Sequence, residues 1–338
     1  MNETKLSICL PTYNQADELE KLLNSILPQV TSEVEIVVRD DSTNSDTENL
    51  VREFSRRVPI RYFHGVKEGI DKAVIFLVEQ ARGDFVWWIG DEIVLPGGVG
   101  KVLKVINDHP DTSFIWANFF ISQTKKLTID LPESGFFKDR DEILDKAVVG
   151  LGFISATIFR RNLAMTGIEG SKKYFGTEFS NLYLILHVLS QPGKYYYIRE
   201  PVIVNYPATV DELKKATVKN GEIHNRAFEV FGLSFSEILR QFEGPFSSSA
   251  VNMAIKRSFG QTWRGMLVSW VGGWDTPKGK RIRMLKYFWK FPEAWVAFVA
   301  FLIPLPINRV LFKIYKIFFS QRRFRFGKNR WKGSEETS

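Results

Sequence analysis

The 338-residue sequence predicts an α/β protein built on a mixed, mainly parallel sheet. Two observations carry that expectation. Apolar, strand-forming runs alternate with segments whose apolar residues recur at helical spacing, as in a parallel sheet with crossover helices. Each run also ends in a polar cluster, and the C-terminal edge of such a sheet is where ligands bind.

The elements follow in order. Lys5 to Leu10 (KLSICL) forms the first strand, and Pro11, Thr12, Tyr13 and Asn14 close it. The next segment places Leu19, Leu22, Leu23 and Ile26 on one face of a helix. Glu35 to Arg39 is a second strand, running into Asp40, Asp41, Ser42 and Thr43. A third, Ile60 to His64, leads to Gly69, Ile70, Asp71 and Lys72, then to a helix through Ala73, Val74, Phe76 and Leu77. Phe85 to Ile89 ends abruptly in Gly90, Asp91 and Glu92, before Leu95, Pro96 and Gly97 open a new segment. Two adjacent carboxylates at the end of a buried strand are costly unless something positive sits on them. A divalent cation carrying a diphosphate meets that need, because Mg²⁺ takes one or two carboxylates plus phosphate. Capping the next helix is the alternative use of Asp91 or Glu92. Ser113 to Ser122 is another strand, Leu182 to Leu189 a helical run, and Tyr195 to Ile198, before Glu200-Pro201, a closing strand.

The stretches SICLPTYN, VVRDDSTNSDT, GIDKAV and FVWWIGDEIVLPGG together resemble the GT-A glycosyltransferases of family 2 over roughly the first 125 residues. The resemblance implies a nucleotide-diphospho-sugar transferase fold. It implies that Pro11, Thr12, Tyr13 and Asp41 hold the nucleoside, commonly uridine, with Asp40 alongside. Asp71 and Lys72 would lie near the phosphates, and Gly90 would belong to the nucleotide-sugar site. Asp91 falls on the carboxylate that binds metal in the family's DxD motif, with Glu92 beside it, so Mg²⁺ or Mn²⁺ is the implied cofactor. The first acid of that motif is replaced by Ile89. Gly152 to Arg161 (GFISATIFRR) is similar to the block lining the acceptor pocket, with Ser155 and Arg160 as candidates. Inverting members place their general base at the start of a following helix, where Glu178 is the acid. A helix N-terminus keeps such a carboxylate ionised; capping is its alternative role, and His187 the alternative base.

Other chemistries lack their signatures. No GxGxxG loop follows the first strand and no GxxxxGK[ST] loop occurs, which argues against a dehydrogenase or a P-loop NTPase. The lone Cys9 is expected to be a buried, inert thiol and excludes an internal disulfide. His64, His109, His187 and His224 have no metal-ligand spacing.

Charge divides the chain. Residues 256–338 hold 18 Lys or Arg against four acids, a net +14, which leaves −6 on the first 255. Bases alternate there with Trp, Phe and Ile, and the nearly uncharged run Ala294 to Ile307 is interrupted by Pro304 and Pro306. That run is shorter than the roughly 20 apolar residues of a spanning helix. Basic amphipathic segments of this kind lie in the bilayer interface; a soluble helical subdomain with an aromatic core is the alternative. A nucleic-acid binder would place its basic patch beside its functional groove, so no nucleic acid is expected. No signal pattern precedes the first strand, which places the catalytic half in the cytoplasm.

The expectation is therefore a GT-A catalytic domain over 1–235 (nucleotide-sugar side 1–125, acceptor side 126–235) and a basic, membrane-associating helical region over 236–338. Its activity would be inverting transfer of a sugar from a nucleoside diphosphate to a hydroxyl of a polyprenyl-diphosphate-linked oligosaccharide, at the cytoplasmic membrane face. Transfer directly to a polyprenyl phosphate, or an inactive membrane-associated scaffold, are the alternatives.

Overall fold

The computed structural model describes residues 4–122, 127, 129–147, 150–205, 232–271, 285–304, 306, 307 and 310. Most of the basic stretch from Arg309 to Lys332 lies outside them. The chain divides into two units, Met1–Val210 with Ser234–Ser258, and Asp211–Leu233 with Phe259–Ser338. The segment 234–258 packs with the α/β unit. There Phe235 meets Phe179 edge-on at 5.8 Å, and Arg257 pairs with Asp145 at 2.6 Å.

In the first unit β1 (Leu6–Thr12), β2 (Val34–Asp40), β3 (Ile60–His64) and β4 (Phe85–Trp88) are parallel, in the order β3-β2-β1-β4. The helices α1 (Ala16–Ile26), α2 (Asp46–Phe54) and α3 (Ile70–Gln80) connect them. β1 is buried along nearly its whole length, as its continuous apolar run requires of a strand covered on both faces. Beyond β4 lie β8 (Thr157–Arg160), β6 (Thr112–Ile121), β9 (Lys194–Asn205) and β5 (Ile93–Val94), while β7 (Gly135–Phe136) pairs with β9. β8 runs antiparallel to both β4 and β6, so the sheet is mixed. Glu200-Pro201 does not end β9; the β6–β9 register slips there, and a bulge accommodates the missing proline donor. Helices α4 (Gly98–Asp108), α5 (Arg140–Ala147), α6 (Arg161–Met165), α7 (Ile168–Ser171) and α8 (Ser180–Ser190) complete the layers.

The paired tryptophans of β4 fix the neighbouring elements. Successive residues of a strand face opposite sides, and each buried indole N–H finds a carbonyl. Trp87 Nε1 donates to the Ser155 carbonyl at 2.8 Å, and Trp88 Nε1 to the Val74 carbonyl of α3 at 3.2 Å. Both sides of the β4 end are thereby anchored to segments that return below as site residues.

In the second unit Phe288 is fully buried and stacks on Phe259 at 4.2 Å, with Phe291 beside both. The helix Pro292–Leu302 has 11 residues, about 16 Å at 1.5 Å per residue, half a bilayer core. Among the described residues no helix is long and apolar enough to cross a membrane. Trp289, Trp295, Val299, Leu302, Ile307 and Val310 are exposed.

Candidate active site

The parallel register aligns the strand ends, pairing Thr12 with Asp40 and Asp40 with His64. Asp40 is fully buried and accepts from Tyr62 Oη at 2.6 Å and from the Ser42 N–H at 2.8 Å, with His64 Nδ1 at 3.8 Å. Burial, then the bond to Asp40, pushes the Tyr62 phenol well above its usual range. The Asp40 carboxylate thus holds the β2 turn from inside, alongside the Thr12, Tyr13 and Asp41 positions. Asp41 accepts from Arg39 Nε at 2.6 Å, and its own N–H donates to the Thr12 carbonyl. Asn14, at φ 52°, joins the two loops by donating its N–H to Ser42 Oγ and accepting from the Thr43 N–H. Lys67 Nζ stands 4.0 Å over the Tyr13 ring, and half-buried Pro11 lies in β1, its backbone paired with Arg39. Thr12 Oγ1 is buried without a hydrogen-bond partner. Such an orphan costs about 1–3 kcal/mol, which a ligand arriving at this edge would relieve.

At the end of β4 the acidic pair is split. Asp91 is exposed, whereas Glu92 is buried. Glu92 Oε2 accepts from Ser155 Oγ at 2.5 Å and from the Gly90 N–H at 3.1 Å, and Gly90 N also lies 3.2 Å from Ser155 Oγ. Glu92 therefore turns inward here, and Ser155 closes the β4 turn with it. Burial above all pushes the Glu92 carboxyl up to about 7; Asp91's charge adds to this, and the Ser155 and Gly90 bonds oppose it. Its folded value exceeds its unfolded one, so the stabilisation from protonation is complete below about pH 4.5 and is lost as pH rises through 7. In EDTA, the wild-type unfolding free energy should therefore fall between pH 5 and 8, by up to about 3 kcal/mol, and the thermal midpoint with it. Glu92→Gln should flatten that slope and be relatively more stable at pH 8. Parallel thermal-unfolding curves for the two proteins across this range would refute it.

No group of three metal-binding side chains forms among the described residues. Asp91 alone nevertheless fits a Mg²⁺-type ion, which keeps waters and takes further oxygens from substrate phosphates rather than from a protein cage.

A third segment reaches the same edge. Asp71, in the first turn of α3, is buried, and its carboxylate accepts from the N–H groups of Gly176, Glu178 and Ser180 at 2.8, 2.9 and 2.9 Å. Charge-assisted bonds of this kind are worth roughly 1.5–3 kcal/mol each. They hold Glu178 at φ 65°, a left-handed conformation costing a non-glycine residue roughly 1–3 kcal/mol. Phe179 packs against Gly152, where an added Cβ would lie 2.6 Å from its ring, and Asn181 Nδ2 donates to the Gly152 carbonyl. The block carrying Ser155 and the turn carrying Glu178 are thus neighbours.

The remaining candidates make other contacts. Arg160 pairs with Phe85, at the start of β4, because β8 runs antiparallel; its guanidinium donates to the Thr112 and Pro110 carbonyls at the opposite edge of the sheet. That corrects its assignment to the acceptor side. Lys72 is exposed and ion-paired with Glu68 at 2.5 Å. His187 lies two turns into α8, against Gly167, with Nε2 2.9 Å from Thr166 Oγ1, and burial lowers its pKa. Asn14, Tyr62 and Arg39, which tie the loops and acids together, carry no signal in the sequence beyond standing next to the polar clusters.

Residues 7–166 match Glycosyl transferase family 2. This segment belongs to that family. The match contains the Thr12, Asp40, Asp71, Asp91 and Ser155 positions; Glu178 lies beyond it. The chain is 25% identical over 225 residues to the abequosyltransferase RfbV of Salmonella typhimurium, covering 59% of this chain and 66% of that protein. It is 27% identical over 188 residues to the GalNAc(5)-diNAcBac-PP-undecaprenol beta-1,3-glucosyltransferase of Campylobacter jejuni, covering 53% and 60%. The chain thus spans less than two thirds of the length of either relative. Among solved structures, residues 1–349 of S. aureus TarS with UDP-GlcNAc superpose with a TM-score of 0.55 at 14% identity, over 88% of this chain and 90% of that one. The mannosyltransferase PcManGT of Pyrobaculum calidifontis, with GDP-Man and Mn²⁺, gives 0.51 at 13% identity, over 92% and 88%. The fold of this chain is GT-A.

Proposed function

We propose that this chain transfers a sugar, with inversion, from a nucleoside-diphosphate donor to a hydroxyl of a lipid-linked oligosaccharide. One observation carries the reading: an orphan Thr12 hydroxyl, the exposed Asp91 carboxylate and the Glu178 turn belong to loops at one edge of the sheet. The nucleoside would meet Thr12, Tyr13 and the β2 turn held by Asp40 and Asp41; the UDP-GlcNAc bound by TarS favours uridine. Asp91 would hold Mg²⁺ or Mn²⁺, and a bound ion offsets charge on the departing diphosphate. Half-buried Glu178 accepts the proton of the acceptor hydroxyl as that oxygen attacks the anomeric carbon. The bond from the anomeric carbon to the diphosphate breaks on the opposite face, which inverts the centre. The printed substrate of the Campylobacter relative is linked to undecaprenol diphosphate, which favours an acceptor of that class.

A screen of UDP-glucose, UDP-galactose, UDP-N-acetylglucosamine and GDP-mannose, reading nucleoside diphosphate release with and without Mn²⁺, tests the proposal. Metal-stimulated release from one donor is the expected result. Binding of UDP or GDP with no release under any condition would favour an inactive scaffold, the reading that buried Ile89 in the first DxD position supports.

The second unit supplies the membrane contact in this reading. Trp295, Val299 and Leu302 recur at i, i+4, i+7 and are exposed on one helix, with Lys286 and Lys290 just before it. Deleting residues from about 280 onward should release the protein from anionic vesicles while donor binding persists. High salt should weaken flotation only in part, because apolar contact is not screened. Full flotation of the truncated chain with phosphatidylserine vesicles would overturn the assignment.

A further inference from the structure

We infer that Asp71 is a positioning residue for Glu178, not a ligand of the donor phosphates. The inference rests on the reading of Glu178 as the proton acceptor. Asp71 is only 4% exposed, and both its carboxylate oxygens are engaged by backbone N–H groups of Gly176, Glu178 and Ser180. Ser180 Oγ also donates to the Asp71 carbonyl at 3.2 Å, so side chain and backbone grip the same turn. A phosphate brought to this carboxylate would meet like charge, and the backbone N–H groups around it are already engaged.

The grip is also where Glu178 acquires its direction. Its left-handed backbone, φ 65°, aims the side chain differently from a helical or extended residue, and a glutamate does not hold that conformation unaided. Three converging acceptor contacts over-determine it. Asp71 in turn stands on α3, which Trp88 ties to β4 through the Val74 carbonyl. β4 ends at Asp91. One path of helix, indole and strand thus links the Glu178 turn to the loop that carries Asp91. A displacement of about 1 Å between reacting groups costs on the order of a hundredfold in rate, and Asp71 is the side chain that prevents it.

The test is a double-mutant cycle on the full chain, with the screened sugar nucleotide that turns over fastest as donor and its nucleoside diphosphate as binding probe. Asp71→Asn keeps the shape but sets an amide N–H₂ against backbone donors. It should lower kcat roughly 10- to 100-fold, with donor KM and diphosphate Kd within about threefold. Asp71→Asn combined with Glu178→Gln should be no slower than Glu178→Gln alone, because the two act as one unit. Asp71→Glu, which keeps the charge but lengthens the arm, should show the same non-additivity with a smaller loss. A native rate for Asp71→Asn beside a slow Glu178→Gln would overturn this inference alone; a native rate for Glu178→Gln would instead overturn the base assignment. Additive losses, a tenfold weaker diphosphate affinity, or failure of both Asp71 variants to fold would each show that Asp71 acts on more than Glu178, and would also overturn it.

Discussion

Asp91→Ala should abolish metal-stimulated nucleoside diphosphate release while leaving the protein folded. The expected loss in turnover is at least about a thousandfold, or ~4 kcal/mol of transition-state stabilisation, since the charge on the leaving diphosphate would be left without its counter-ion. The structure explains why the fold should survive. Asp91 is exposed, and the turn it occupies is held by Glu92, Ser155 and Gly90. Exposed substitutions away from such a network usually change stability by no more than about 0.5 kcal/mol. Glu92→Ala is the informative contrast. It should be milder toward metal, yet it removes the partner of a buried Ser155 hydroxyl, so its activity loss should come with a lower unfolding temperature. If Asp91→Ala kept near-native turnover in saturating Mn²⁺, Asp91 would not hold the ion.

The split between Asp91 and Glu92 also marks how far the sequence could be read. The strand ends were legible because each apolar run stops at a polar cluster, and β3 falls on the expected Ile60–His64. Parallel strands then bring those clusters to one edge without any knowledge of side-chain direction. Which acid of a pair faces outward is a different kind of fact. Glu92 turns inward because Ser155, 63 residues away, offers a hydroxyl, and Asp40 turns inward because Tyr62 does. Adjacency in the chain says nothing about either partner. Arg160 shows the same limit at the level of topology: a residue ending a strand lies at the ligand edge only if that strand runs parallel, and β8 does not. The two-residue strands β5 and β7 are too short to carry a period and exist only through pairing with β9. In α4, Gly98 and Gly100 weaken a helical signal that Val99, Val102, Leu103 and Ile106 otherwise carry.

Glu178→Gln should lower the turnover of transfer by about two to four orders of magnitude, the usual loss when a positioned proton acceptor is removed. Donor affinity should change little, because the amide nearly matches the carboxylate in shape and the proposed nucleotide contacts are Thr12, Tyr13 and the β2 turn. Turnover falling at constant donor KM is the pattern of an interaction made only in the transition state. The left-handed backbone at Glu178 adds a second expectation. Glu178→Asp should recover only part of the rate, since the shorter side chain leaves the carboxylate about one bond length from the acceptor hydroxyl while Asp71 keeps the turn where it is. His187→Ala provides the control. Its ring is held by Thr166 and rests on Gly167, and burial favours its neutral form. That substitution should disturb the packing of α8 but leave the proton transfer intact. Steady-state rates for the three variants, measured with one donor and one acceptor, decide between the two residues. Native turnover in Glu178→Gln together with loss in His187→Ala would move the base to His187. Native turnover in both, with Asp91→Ala still inactive, would leave a transferase whose proton acceptor lies outside the turn that Asp71 holds.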